Sequence, residues 1–192
     1  MRLTFINQVR FRMFGKLVFV SLLIASFSCG QRNRDRAEST SLTGKVVRVL
    51  DGDTYEILLD GNHTERIRME GIDAPERGMP YYKVSKNYLG SLCFKRNVTL
   101  EVQSKDRYGR TIAFGYLDDG RELSAEMLKA GLAWHYKKYN SDKNLAELEK
   151  RARDSKVGLW KDSNPMAPWD NRRYHRNGIS TKDSFDINDG NR

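Results

Sequence analysis

Cysteine is scarce in this chain, which has only Cys29 and Cys93 among its 192 residues. Two cysteines, one of them near the N-terminus, exclude the disulfide framework that stabilises many small exported proteins. Histidine is also rare, with three residues, and no histidine and cysteine pair has the spacing of a zinc site. The stability of the fold must therefore come from packing.

Long apolar runs are lacking as well. The longest, residues 17–25, follows four positive charges and is too short for a membrane-spanning helix, so residues 1–28 are predicted to be a signal peptide. Cys29 stands where a bacterial lipoprotein signal places its lipidated cysteine, and we expect lipidation there. Three alternatives remain open: ordinary cleavage after Ser28, an uncleaved N-terminal anchor, and a true start at Met13.

Composition indicates one domain, because 39% apolar and 31% charged residues provide for one ordinary core. The formal net charge is +9, and it falls to +5 once residues 1–28 are removed. A basic excess favours a polyanionic partner through counterion release, although many surface proteins are mildly basic without binding nucleic acid.

Four segments follow from the composition along the chain. Residues 1–28 form the predicted signal peptide, residues 29–41 a polar flexible tether, and residues 42–163 the folded domain. Residues 164–192 form a polar tail that we expect to be partly disordered. Pro165, Pro168 and Trp169 are the tail residues that could pack back on the domain.

Short strand patterns separated by tight turns predict a small closed β-barrel. The strands are expected at residues 44–50, 54–59, 64–69, 97–103 and 110–117. Helical periodicity appears at residues 81–94, 123–130 and 144–155, with Cys93 in the first of these as a small buried residue. The predicted fold is therefore α+β, a five-stranded OB-fold barrel with three helices.

Three short segments carry the polar chemistry: residues 51–54 (DGDT), residues 68–76 (RMEGIDAPE) and residues 106–110 (DRYGR). Carboxylates facing two arginines are the ingredients for metal-assisted attack on a phosphodiester. Taken alone, the first segment would be predicted as a hairpin turn, and Arg68 and Arg110 as surface partners of Glu70 or Asp106. The combination of the three segments favours a site.

These motifs, followed by residues 131–133 (GLA) and 158–160 (GLW), resemble the staphylococcal nuclease family in order and approximate spacing over residues 42–163. The resemblance implies a calcium-dependent nuclease that cleaves DNA and RNA without regard to the sugar and leaves 3'-phosphorylated ends. Oxygen ligands with room for water suit calcium on chemical grounds as well.

The family's functional residues map onto this chain one by one. The carboxylates of Asp53 and Asp73 would bind calcium together with the backbone carbonyl of Ala74, where the best-known family member has threonine. Glu76 is expected to accept a proton from water or to orient it. Arg68 and Arg110 would clamp the phosphate, since a planar guanidinium can bind two phosphate oxygens.

Lys105, Tyr108 and Tyr139 are the predicted nucleotide contacts, through base stacking and a phosphate contact. His135 is expected to be a packed or exposed side chain rather than a catalyst. Backbone clamping predicts little sequence preference among DNA and RNA partners.

The expected protein is a monomeric, exported lipoprotein of the bacterial cell envelope, held to the membrane by its N-terminal lipid. The main rival function is a noncatalytic OB-fold lipoprotein that binds nucleic acid. A structural envelope lipoprotein is a second rival, and it leaves the acidic and basic cluster unexplained.

Overall fold

The structure, a computed structural model, describes residues 41–181. The predicted signal peptide, the lipidation at Cys29, the tether and residues 182–192 of the tail lie outside the described residues. Within residues 41–181, no helix has the length and apolar character needed to cross a membrane.

Five strands form a closed barrel, as the sequence predicts: Ser41–Val49 (β1), Thr54–Leu59 (β2), His63–Met69 (β3), Asn97–Lys105 (β5) and Thr111–Leu117 (β6). Their order around the barrel is β1-β2-β3-β6-β5. β1 pairs with both β2 and β5, which closes the barrel, and the parallel pairing of β3 with β6 is its only parallel ladder. Alternate residues point inward, and Tyr55 and Ile57 of β2, Ile67 and Met69 of β3 and Ala113 of β6 are buried.

A second, two-stranded sheet lies outside the barrel. β4 (Ile72–Asp73) pairs antiparallel with β7 (Trp134–His135), so Asp73 is opposite Trp134. Gly71, with a φ of 78°, allows the chain to turn from β3 into β4. The small sheet therefore fixes the segment that follows β3 by backbone hydrogen bonds.

The three predicted helices are present within one or two residues of their expected ends. They are Tyr82–Cys93 (α1), Leu123–Lys129 (α2) and Lys143–Asp154 (α3). A fourth helix, Pro168–Arg176 (α4), lies in the segment predicted to be a polar tail, so residues 41–181 contain four helices rather than three. Cys93 is buried and donates to the Leu89 carbonyl, and burial raises the pKa of its thiol to about 12.

A second apolar cluster supports the C-terminal part of the domain. Trp134 packs edge-to-face on Trp160, with ring centroids 5.5 Å apart, and Ala152, Leu159 and Ala167 complete the cluster. The motifs at residues 131–133 and 158–160 are in contact here, because the Leu159 N–H donates to the Gly131 carbonyl at 2.9 Å. Gly158 has a φ of 59°, and a Cβ on it would overlap the Gly131 backbone. Glycine at this junction permits the close approach of the two segments.

Candidate functional site

An open cavity of about 1300 Å³ lies between the barrel, β4, the segment after β7 and α4. It brings together eight of the nine residues predicted for calcium, catalysis and nucleotide contact. Those that line it are Asp53, Arg68, Asp73, Ala74, Glu76, Tyr108, Arg110 and Tyr139. Lys105 is not among the lining residues.

Asp53 enters the cavity from the turn between β1 and β2. The turn is a hairpin, closed by a hydrogen bond from the Leu50 N–H to the Thr54 carbonyl, so residues 51–54 serve both as a turn and as part of the site. The Asp53 side chain is almost fully buried. Its Oδ1 accepts from the Thr54 hydroxyl at 2.9 Å and its Oδ2 from the Ala74 N–H at 2.7 Å.

Arg68 joins the two predicted calcium-binding carboxylates. Its Nη2 lies 3.1 Å from Asp53 Oδ2 and 3.0 Å from Asp73 Oδ1, and its Nη1 donates to the Met69 carbonyl at 2.9 Å. Ile67 and Met69 point into the barrel core, so alternation along β3 places Arg68 on the opposite face. The partners of Arg68 are therefore Asp53 and Asp73; Glu70 instead accepts from Asn140 at 2.9 Å.

Burial disfavours the charged forms of Asp51 and Asp73 in this acidic cluster. Burial, followed by the nearby charge of Asp53, raises the pKa of Asp51 to about 7. Burial also raises the pKa of Asp73, against the hydrogen bond from Arg172 and the charge of Arg68. A buried acidic cluster of this kind favours the approach of positive charge.

Glu76 follows Pro75 at the end of the β4 segment, and it is paired with an arginine that the sequence did not single out. Arg172, on α4, lies 2.5 Å from Glu76 Oε1 through Nη1 and 2.6 Å from Asp73 Oδ2 through Nη2. One guanidinium thus contacts both a predicted calcium ligand and the predicted catalytic glutamate. These hydrogen bonds outweigh burial and raise the pKa of Arg172, which stays charged.

Arg110 is held in the turn between β5 and β6. Its Nε donates to Asp106 Oδ2 at 2.7 Å, while Asp106 Oδ1 accepts from the N–H groups of Tyr108 and Arg110. The surface pairing of Arg110 with Asp106 is therefore present, and it directs the arginine toward the cavity that Arg110 lines. Tyr108 is 69% exposed, with the guanidinium of Arg107 4.8 Å from its ring centroid.

The other predicted nucleotide contacts differ in position. Tyr139 is 67% exposed at the cavity, where its ring packs edge-on against Tyr136. Lys105 lies outside the lining and its Nζ pairs with Glu65 at 2.9 Å, so it needs a different rotamer to contact a strand in the cavity. His135 is buried, with Nε2 3.0 Å from Asn140 Oδ1, as expected for a packed histidine.

The donor set fits a hard divalent cation. Asp53 and Asp73 offer carboxylate oxygens that lie within 3.1 Å of the same Arg68 nitrogen, so the two side chains are close enough to bind one cation beside it. Within residues 41–181 no three His, Cys, Asp or Glu side chains form a ready ligand cluster. A cation at this place would therefore rely on two carboxylates, the Ala74 carbonyl and water.

Sequence reasoning missed Arg172 because residues 168–176 (PWDNRRYHR) are mostly polar. Pro168 at the first helical position was a usable helix signal, and Trp169 indicated a possible contact. Neither shows which of the three arginines of this helix points at the carboxylates.

Comparisons with known proteins give one family model and several sequence relatives. The family model described as "Staphylococcal nuclease homologue" matches residues 66–162. An "Uncharacterized endonuclease" of Escherichia coli is 44% identical over 126 residues, which cover 66% of this chain and 82% of the relative. A "Micrococcal nuclease" of Shigella flexneri is 38% identical over 147 residues, or 71% of this chain and 84% of the relative. An "Uncharacterized endonuclease" of Haemophilus influenzae is 35% identical over 161 residues, covering 84% and 87%.

Proposed function

Because this chain belongs to the staphylococcal nuclease homologue family, we propose that it is a calcium-dependent nuclease that hydrolyses phosphodiester bonds of DNA and RNA. The products would carry 3'-phosphates. The observation that carries the proposal is that Arg68 contacts both Asp53 and Asp73 inside a cavity that Glu76 and Arg110 also line. Such a site can bind a phosphate and a cation at adjacent positions.

Calcium would be held by the carboxylates of Asp53 and Asp73 and by the Ala74 carbonyl. When bound, it would supply Lewis-acid polarisation of a phosphoryl oxygen. The chain's own contribution begins with the hydrogen bond from the Ala74 N–H to Asp53, because this bond ties the turn before β2 to the end of β4. Both carboxylates are thereby fixed before any ligand enters.

Glu76 is the proposed proton acceptor. Its side chain is 37% exposed, so water can reach it, and it follows Pro75, whose own φ is fixed by its ring. A carboxylate in this position can accept a proton from an attacking water or hold that water in line with the phosphorus. Arg172 contacts Oε1, so Oε2 is the oxygen that can accept from water while that contact is kept.

Arg68 and Arg110 are proposed to neutralise the charge that grows on the phosphate oxygens in the transition state. Both side chains are held by acceptors before substrate binds, Arg68 by Asp53 and Asp73 and Arg110 by Asp106. Fixed donors need little reorganisation during the reaction, which is where their catalytic advantage arises.

Substrate contact would come from the exposed rings of Tyr108 and Tyr139, on which unpaired bases can stack. Stacking and phosphate contacts read neither the base edges nor the 2'-hydroxyl, so we expect weak sequence preference and no discrimination of DNA from RNA.

Export is part of the same proposal. A signal peptide over residues 1–28 and a lipid on Cys29 would hold the nuclease at the cell envelope. Metabolic labelling with an alkyne fatty acid tests this, because the label should enter the wild-type protein and be absent from Cys29→Ala.

The decisive experiment measures cleavage of denatured DNA and of RNA in millimolar calcium or in chelator. We expect calcium-dependent cleavage in the wild type and a loss of about 10³-fold in Glu76→Gln. Glu70→Gln is the matched control, since Glu70 lines the same cavity and contacts Asn140, and its activity should stay within about threefold. Nucleic-acid binding without cleavage in the wild type would instead support the noncatalytic OB-fold function.

A further inference from the structure

Arg172 shares its carboxylates with the proposed cation. Asp73 Oδ2 accepts from Arg172 Nη2 at 2.6 Å, and Asp73 Oδ1 accepts from Arg68 at 3.0 Å and from Arg172 Nη1 at 3.4 Å. Both oxygens of Asp73 are therefore hydrogen-bonded to guanidinium groups. A divalent cation that binds Asp73 therefore competes with two guanidinium groups for the same carboxylate, and their positive charges repel it even where a lone pair is still free.

Of the two arginines, Arg172 is the one that can leave. The Arg68 side chain is 13% exposed and also donates to the Met69 carbonyl, whereas the Arg172 side chain is 34% exposed and contacts Asp73 and Glu76. A half-exposed guanidinium that leaves its partner is hydrated by water. A buried guanidinium would instead remain as an unpaired charge in a medium that solvates it poorly.

The position of α4 does not depend on the contacts of Arg172. The Trp169 ring stacks on Tyr136 at a centroid distance of 5.2 Å and an interplanar angle of 3°. Ala167 is buried in the second apolar cluster, and Asn171 accepts from the Thr181 hydroxyl at 2.5 Å. These contacts keep the helix against the domain, so Arg172 can change its rotamer without the helix leaving.

We propose that Arg172 is a positioning residue that acts as an internal counter-cation for Asp73 and Glu76. It holds both carboxylates in place in the metal-free protein and competes with the divalent cation for Asp73, so α4 lowers the affinity of the site for that cation. The inference rests on the proposed function only in taking Asp73 as a cation ligand. It makes metal affinity a property of a helix that lies beyond the family match.

The test is a calorimetric titration of calcium into the metal-free full chain, with no nucleic acid present. Arg172→Gln should bind calcium about tenfold more tightly than the wild type, the effect of removing one partly exposed competing ion pair. Arg173→Gln is the matched control, because it removes the same charge from the same helix while Arg173 pairs with Asp170, at 2.9 Å, rather than with a predicted cation ligand. Its affinity should stay within about twofold of the wild type.

Equal or weaker calcium binding by Arg172→Gln would overturn the inference, as would an equal gain in Arg173→Gln, which would indicate a general charge effect. If Arg172→Gln does not fold, Arg172→Lys serves instead; it keeps the charge but loses the two-pronged contact, and affinity above that of the wild type is expected.

The outcome also separates this inference from the proposed function. Calcium binding with cleavage but no effect at Arg172 overturns the inference alone. Absence of calcium binding in the wild type and in all three variants overturns both the inference and the calcium dependence.

Discussion

The two sides of the cavity are built differently. The strand side consists of Asp53, Arg68 and Asp73, whose side chains are between 3% and 13% exposed and lie on segments joined by strand pairing. The helix side consists of Arg172 and Trp169 on α4, which reaches the cavity through side-chain contacts. The first side is rigid by its backbone, and the second depends on packing that a few side chains provide.

This difference suits the two sides to different functions. Fixed groups suit transition-state stabilisation because they need no reorganisation. A half-exposed arginine on a docked helix suits a contact that must be made and released. The family match covers residues 66–162, so it contains Arg68 and Asp73 but neither Asp53 nor α4.

The largest expected difference between the sides is in cleavage at saturating calcium. Arg68→Gln should reduce the rate by about 10³-fold, because it removes a fixed donor to the transition state. Arg172→Gln should reduce it by less than about tenfold, since the cation then takes the place of Arg172 on Asp73. Initial rates on denatured DNA measure both. Equal losses would show that the two sides are not functionally distinct.

A smaller effect is expected when the support of the helix side is removed. Trp169→Ala deletes the stack on Tyr136 and part of the contact with the second apolar cluster, and should lower the free energy of unfolding by about 2 kcal/mol. Amide exchange should accelerate in residues 168–176 while the barrel strands stay protected. Calcium should also bind more tightly, as in Arg172→Gln.

Tyr108→Ala is the control for this change, because it removes an exposed ring that lines the same cavity from the turn between β5 and β6. It should leave the free energy of unfolding within about 0.5 kcal/mol of the wild type. Uniform acceleration of exchange across the barrel in Trp169→Ala would mean that α4 is part of the same cooperative unit as the strands.

The strand side could be predicted from the sequence because its causes are local. Alternation of apolar residues indicates β3 and places Arg68 opposite Ile67 and Met69, and Asp-Gly indicates the turn that carries Asp53. The family resemblance added the roles of these residues. The barrel and three helices follow from the same patterns.

The helix side could not be predicted in the same way. Helix α4 is held by the stack of Trp169 on Tyr136 and by the apolar cluster that contains Trp134, and both of these residues are distant in sequence and meet the helix only in the folded chain. Lys105 shows that residue type alone is also insufficient. A lysine suits a phosphate contact, yet the position of Lys105 on its strand places it beside Glu65. Residue type indicates what a side chain can bind, and the fold decides what it contacts.

The smallest expected effect concerns Asp106, which fixes Arg110 in the turn between β5 and β6. Burial disfavours the charge of Asp106, but hydrogen bonds from the side chain and backbone of Arg110 outweigh burial and lower its pKa. A carboxylate with a lowered folded-state pKa stabilises the protein above its ordinary pKa near 4, and the stabilisation is lost as the pH falls through the lowered value.

Asp106→Ala should therefore lower the free energy of unfolding by about 1 kcal/mol at pH 7, and the difference from wild type should shrink as the pH falls below about 4. Denaturant titrations at pH 7, 5 and 3 measure it. Asp154→Ala removes a carboxylate that is 61% exposed in its pair with Lys150, and its effect should be within a few tenths of a kcal/mol. A pH-independent loss in Asp106→Ala would mean that Asp106 stabilises its turn by shape rather than by charge, and that Arg110, unlike Arg68, is not held by an ion pair.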